Sequence, residues 1–376
     1  MIMSKYAALL TNYCLRVSPG EKVLIRSTPL GLPLVEAVHA EVIRKGGIPI
    51  VQLSTGQLDR QTIESDRPEV WETSSTLYRD AVTSFDCILT ISAPENSRTL
   101  ASADPGILSR HSLAQSDVKR QFMTRSASGD LKWCLCLFPT PSLAQDAQMG
   151  TVEFLDFVMD ACGLTEPDPV AYWLGVSRFQ QVIVDRLNQA KQIRYVFDDM
   201  DISFSVEGRR WINSDGRRNM PSGEVFTSPV ESSVNGHIRF DFPVIYQGIE
   251  ITNTRFDVVN GKIEKWSATS GQTALDGLMA QPGARYFGEV AIGTNTKIQR
   301  HIKNILFDEK IGGTIHMAIG ASYPETGGKN ESPIHLDFIA EMRVSGQIYA
   351  DGTLIYEKGQ FLAPFCLDCG EEKAID

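Results

Sequence analysis

RYVFDDMDISFSVEGRRWINSDG, residues 194–216, decides the architecture: polar and apolar residues alternate along it, as on a half-buried antiparallel strand. Upstream the texture differs. KVLIRST (22–28), IPIVQLS (48–54), DCILTISA (86–93) and WCLCLFP (133–139) are short, nearly continuous apolar runs, which read as strands, DCILTISA as a buried one. Between the first two lies LPLVEAVHAEVIRK (32–45), apolar at helical spacing and stopped by Gly46-Gly47. Strands separated by helical patterns predict βαβ units and a parallel sheet. TVEFLDFVMDAC (151–162) reads as a helix, and another leads from Pro169 toward Ile193. The polar stretch from Asn96 to Asp130 reads as short helices and loops. Beyond residue 194, Asn235-Gly236 and Asn260-Gly261 sit between alternating runs and signal hairpins, while 271–281 and 294–304 read as helices. The expectation is an α/β N-terminal domain with a parallel sheet (1–190), followed by a β-rich α+β C-terminal domain (191–376).

Composition narrows the function classes. The 376 residues carry 36 Lys and Arg against 46 Asp and Glu, a formal charge of −10. A chain this acidic lacks the electrostatic footprint of a nucleic-acid or anionic-membrane binder. No apolar run reaches the roughly 18 residues needed to span a bilayer. MIMSKYAALLTNYCLRVSPGEK (1–22) has a short apolar stretch broken by Asn12 and Arg16, without a small-residue cleavage site, so a secretory leader is not expected. Seven cysteines fit reduced thiols better than a disulfide framework. These features lead us to expect a cytoplasmic protein.

Several chemistries lack their sequence signatures. GxxxxGK[ST], a strand followed by GxGxxG, GxSxG and HExxH are all missing, which argues against nucleotide binding, a serine-hydrolase elbow and a helix-borne zinc protease. Cys366-Leu-Asp-Cys369 has metal-ligand spacing but no companion pair, and reads as a pair of tail thiols. His39 falls inside the helical pattern of 32–45, too far from that pair to form a deaminase-type site.

The chemistry concentrates in four Gly-, Pro- or Ser-flanked segments: NMPSGEVFTSPVE (219–231), GEVAIGTN (288–295), DEKIGGTIHMAIGASY (308–323) and GGKNESPIHLDF (327–338). His335 and Asp337 are two apart, so on a strand they leave from one face. Taken singly, each residue has a bland reading. Glu224 or Glu289 alone is more often a solvated carboxylate. His316 fits a satisfied core histidine, and Glu309 beside Lys310 an ordinary surface ion pair. Asp308, Glu325 and Glu331 read as surface charges. It is the fourfold repetition of the pattern that singles these segments out. Glu224, Glu289, Glu309 and Asp337 carry four negative charges, which two divalent cations would neutralise; without cations they would repel and desolvate at considerable cost. Carboxylate with imidazole suits Zn, Co or Mn.

The same runs, NMPSGEVF, GEVAIGTN, LFDEKIGGTIHMAIGASY and NESPIHLDF, resemble the aminopeptidase T type of metallo-aminopeptidase, which includes aminopeptidase S and the thermophilic metalloprotease relatives. Weaker likeness extends to YCLRVSPGEKVLIR (13–26) and WCLCLFPTPSLAQDAQM (133–149). The resemblance implies an α/β domain ahead of a β-rich domain that binds two metals. Carried over, the implied ligands are Glu224, Glu289, Glu309, His316, His335 and Asp337, with Tyr323 beside the metals. Two residues are inserted between Glu309 and His316 relative to the family pattern, and the link from His316 to His335 is shorter.

What the resemblance implies is metal-assisted removal of N-terminal residues from peptides with a free N-terminus. Glu289 would bridge the ions or guide the water's proton to the leaving amine. Tyr323 would donate to the oxyanion as charge develops there. A homodimer is also implied. The competing reading is an Fe(II) ring-cleaving dioxygenase of the dihydroxypyridine type, which shares the fold and needs only His316, His335 and Asp337. Such a site has no use for three glutamates together. A third reading, a non-enzymatic binding protein on an inherited scaffold, predicts missing ligands, and none is missing.

Overall fold

All four apolar runs become parallel strands in the structure, a computed structural model that describes residues 2–246 and 248–366. They are β1 (Lys22–Ser27), β2 (Ile48–Leu53), β3 (Cys87–Ser92) and β4 (Lys132–Leu137). Their spatial order is β2-β1-β3-β4, with the two-residue strand Asn219–Met220 added beside β4. The crossover from β1 to β2 is helix α1 (Leu32–Arg44), which buries Leu34, Val35, Val38 and Val42 at helical spacing. Gly46, at φ 78°, supplies the left-handed residue that closes it. The polar stretch after Asn96 folds into two helices, Pro105–Ala114 and Ser116–Ser128. Proximity of Cα atoms divides the chain into two compact units: residues up to Tyr172 with Gly216–Pro221, and Trp173–Asp215 with the residues from Ser222 onward. Helix α2 spans Pro169–Leu187. Among the described residues no helix is long and apolar enough to cross a membrane.

The second unit is β-rich, as the alternation at 194–216 requires. Gln192–Phe197 buries Ile193, Tyr195 and Phe197, and its hairpin partner Met200–Ser205 buries Met200, Ile202 and Phe204. These strands belong to an eight-stranded antiparallel sheet. Asn260 (φ 50°) and Gly261 (φ 83°) turn the hairpin between Thr254–Val259 and Lys262–Ser267, the left-handed pair that such a turn demands. Asn235-Gly236 does something else. It opens the strand Asn235–Phe240, and a Cβ on Gly236 would lie 2.0 Å from the carbonyl oxygen of Asp201, so the glycine permits close strand approach.

A second, five-stranded antiparallel sheet carries the chemistry. Its strands are β5 (Ile212–Ser214), β6 (Glu224–Thr227), β7 (Phe287–Gly293), β8 (Thr314–Gly320) and β9 (His335–Glu341), in spatial order β9-β8-β7-β6-β5. One face, with Val225, Val290, Ile292, Met317 and Phe338, packs into the core shared with the larger sheet. Helix 272–279 forms as expected. The helix expected over 294–304 does not. Asn295 Nδ2 donates to the Ser222 carbonyl and its Oδ1 accepts from Lys297 N, an anchoring that holds the segment in turns. A short helix, Ile305–Asp308, follows it. Cys369 and the side chain of Cys366 lie outside the described residues.

Candidate metal centre

The register of the five-stranded sheet explains why distant residues meet. Directly opposite residues share a face, and on β8 the residues His316, Ala318 and Gly320 alternate with the core-facing Ile315, Met317 and Ile319. His335 stands opposite Gly320, Asp337 opposite Ala318, Glu289 opposite Ala318 on the other side, and Glu224 opposite Gly293. Five of the six expected ligands therefore project from one face of one sheet. Between them lie glycine and alanine, which leave room above the sheet.

Glu289 reaches that face through a register break. Phe287 pairs with Ile319 on the core side, and Gly288 is an extra residue before Glu289 pairs with Ala318. The bulge turns Glu289 from the core face to the open one. Ser228 Oγ holds it by donating to the Gly288 carbonyl at 2.7 Å. Glu224 is placed by Gly223 (φ 118°), where a Cβ would press on Asn295, and by buried Gln180 of α2, whose Nε2 donates to the Glu224 carbonyl at 3.0 Å. Glu309 arrives from outside the sheet, at the end of the short helix Ile305–Asp308.

Glu224, Glu289, His316 and Asp337 are buried. His316 Nε2 lies 3.3 Å from Glu224 Oε2 and 3.6 Å from Glu289 Oε1, while His335 Nε2 lies 3.1 Å from Glu289 Oε2 and 3.7 Å from Asp337 Oδ1. Ligand atoms approach within 4.8 Å in three groups: Glu224–Glu289–His316, Glu289–His335–Asp337 and Glu309–His316–Asp337. Each contains a glutamate. Glu224 Oε2, both nitrogens of His316 and Asp337 Oδ1 are buried without a hydrogen-bond partner. Buried polar atoms left unmatched are costly, and these converge, so the donor set fits divalent cations.

The electrostatics agree. Burial favours neutral imidazoles, but Glu289, Glu224 and Asp337 raise His316 to about 9, and Asp337 and Glu289 raise His335 to about 10. Burial pushes Asp337 up to about 6 against the pull of His335. Burial would raise Glu289 too, yet the two imidazoles bring it down to about 2. Protons on the imidazoles thus balance part of the carboxylate charge, a balance that bound cations would supply instead. His335 Nδ1 lies 2.8 Å from the Ala321 carbonyl, to which it must donate, and this turns Nε2 toward the cluster. The ring of Tyr323 sits 5.0 Å from that of His335 and 5.5 Å from that of Phe226. Burial and then Glu289 hold its phenol protonated well beyond the ordinary range.

Two neighbours escape sequence reasoning. Lys310, far from forming a surface ion pair, is buried at 1% exposure, and its Nζ contacts both Glu224 Oε1 and Glu309 Oε1. Asp308 is buried as well; it accepts from the backbone N–H of Ile302 and Asn304 and faces His301 Nε2 at 3.1 Å. Three successive charges followed by an apolar residue and two glycines at 308–313 read as an exposed turn, and only the fold covers it. Beside His335 and Asp337 opens a cavity of about 250 Å³, with Val244, Ile245, Ile305, Leu336 and Ile339 among its walls.

Comparison with known proteins agrees. The family described as thermophilic metalloprotease (M29) matches residues 1–361. Aminopeptidase 2 of Geobacillus stearothermophilus is 25% identical, covering 92% of this chain and 93% of that protein. Aminopeptidase PepS of Streptococcus thermophilus is 26% identical, covering 94% and 95%. Wild-type AmpT from Thermus thermophilus superposes with a TM-score of 0.84 at 21% identity, over 96% of this chain and 99% of that one, and so shares the fold.

Proposed function

Since the chain belongs to the thermophilic metalloprotease family (M29) and is a metallo-aminopeptidase, we propose that it releases N-terminal residues from peptides at a centre of two divalent ions, Zn, Co or Mn, held by Glu224, Glu289, Glu309, His316, His335 and Asp337. The observation that carries this reading is the convergence of unmatched buried donors, Glu224 Oε2, His316 Nε2 and Asp337 Oδ1, above a floor of alanine and glycine. A single-iron site built from His316, His335 and Asp337 would leave the glutamates unexplained, whereas every close group of ligand atoms includes one.

Bound divalent ions supply Lewis acidity and a coordinated water of lowered pKa. The protein does the rest. Glu289 would accept the attacking water's proton and deliver it to the leaving amine. Tyr323, kept protonated, donates to the substrate carbonyl oxygen as negative charge develops there. The cavity beside His335 and Asp337, walled by apolar side chains together with His301, Lys303 and Asp308, receives the side chain of the N-terminal residue. In this reading residues 191–376 form the catalytic domain and two copies of the chain assemble in the cytoplasm.

Chelation tests the proposal. Thorough EDTA treatment abolishes cleavage of an aminoacyl-anilide, and Co, Zn or Mn restores it, with metal analysis giving two ions per chain. Hydrolysis that survives chelation overturns the reading. A preparation holding one iron atom and opening dihydroxypyridine rings replaces it with the dioxygenase.

A further inference from the structure

A fully buried lysine inside a set of metal ligands needs a reason. Lys310 is fixed at both ends of its peptide unit: its N–H donates to the Phe307 carbonyl at 2.9 Å and its carbonyl accepts from Asn295 N at 3.0 Å. From there the side chain runs inward until Nζ rests between Glu224 Oε1 and Glu309 Oε1, 2.5 Å from the latter. An ammonium out of water is costly unless its charge is matched, and these two carboxylates match it. They are also two of the six expected metal ligands.

The consequence is asymmetry. The group Glu289–His335–Asp337 holds two carboxylates and no fixed cation. The other two groups, Glu224–Glu289–His316 and Glu309–His316–Asp337, share His316, and Lys310 already takes one oxygen of Glu224 and one of Glu309. Glu224 keeps Oε2 free toward His316. An ion arriving there meets a positive charge held within contact of its own ligands, in surroundings that screen poorly.

Building on the two-ion reading, we propose that Lys310 is a built-in cation that makes the two metal positions unequal. The first divalent ion enters at Glu289–His335–Asp337, and the second, against Glu224 and Glu309, binds more weakly because Lys310 competes for those carboxylates. Lys310 is a positioning residue: it sets the order and strength of metal loading and touches no substrate.

The test titrates metal-free, full-length protein with Co(II) alone, without peptide, following heat and visible absorption. Wild type binds two ions in separate steps, the second weaker by roughly tenfold or more. Lys310→Met tightens the second step by about tenfold or more and leaves the first within about threefold, and Lys310→Arg retains the wild-type gap. A merely structural role would shift both steps together. Crystals of wild type at one equivalent of Co(II), measured at the cobalt absorption edge, locate the ion at Glu289–His335–Asp337, an outcome that does not depend on any variant folding. Equal steps in wild type, a first ion seated against Glu224 and Glu309, or a Lys310→Met titration identical to wild type each overturn the proposal. One ion in wild type and two in Lys310→Met support the role of Lys310 while overturning the two-ion enzyme. Two unequal ions without peptide hydrolysis overturn the aminopeptidase reading and leave Lys310 in place.

Discussion

Phe287 and Glu289 stand two residues apart on one strand and yet face opposite sides of the sheet, Phe287 into the core and Glu289 over the ligand face. In an unbroken strand residues i and i+2 share a face. The single extra residue, Gly288, is what separates them. A Cβ on Gly288 would lie 2.2 Å from the carbonyl oxygen of Ala321, so only glycine fits the bulge without backbone movement. Gly288→Ala removes no ligand, but it should lower bound metal and cut turnover about tenfold or more, because misplacing a catalytic group by ~1 Å is that costly. Metal analysis beside kinetics checks this; a variant with full metal and full rate would show that the bulge does not aim Glu289.

Glu289→Gln is nearly isosteric and keeps the bulge. It removes the carboxylate that takes the proton, so kcat should fall by about 10²–10⁴. Wild-type turnover in the variant excludes Glu289 from proton transfer.

Tyr323→Phe keeps the ring against Phe226 and His335 and deletes only the hydroxyl. Losing one donor to a developing oxyanion should cost about 10²–10³ in kcat with KM nearly constant. A change confined to KM would make Tyr323 a binding residue.

These tests follow the parts of the centre that sequence made visible, and the boundary of that visibility has a physical cause. Strands at 22–27 and 87–92 are readable because parallel strands are largely apolar, and the candidate ligand segments because glycine directly precedes Glu224 and Glu289, where the backbone must turn. Lys310 is not. Glu309-Lys310 looks the same whether solvated or buried, and what buries it is Glu224, 86 positions away in the chain. The segment 294–304 misleads in the opposite way: its spacing suits a helix, but the side chain of Asn295 bonds the backbone at Ser222 and Lys297 and outcompetes helical pairing.

His335→Ala should lower bound metal per chain, since it removes an Nε2 that the Ala321 carbonyl aims from behind. Unchanged stoichiometry would contradict its assignment as a ligand. Loss of a histidine ligand outright should exceed the roughly 10–100-fold affinity cost typical of deleting its supporting hydrogen-bond partner.

The metal-free protein should respond to pH in a defined direction. His316 and His335 titrate near 9 and 10 in the folded chain against an ordinary 6.5, so the folded state binds these protons more tightly than the unfolded state. Their contribution is complete below 6.5 and is lost as pH rises through 9 and 10. Asp337, raised from 3.8 to about 6, works in the same direction at lower pH. Glu289, lowered from 4.5 to about 2, works in the opposite one, and its contribution is lost as pH falls through that range. The melting temperature of chelated protein should therefore fall between about pH 7 and about pH 10. Metal-loaded protein should hold its melting temperature there, because a ligating imidazole has already given up its proton and metal affinity rises as that proton leaves. Parallel melting curves for the two forms would mean that the imidazoles carry no proton in the metal-free centre.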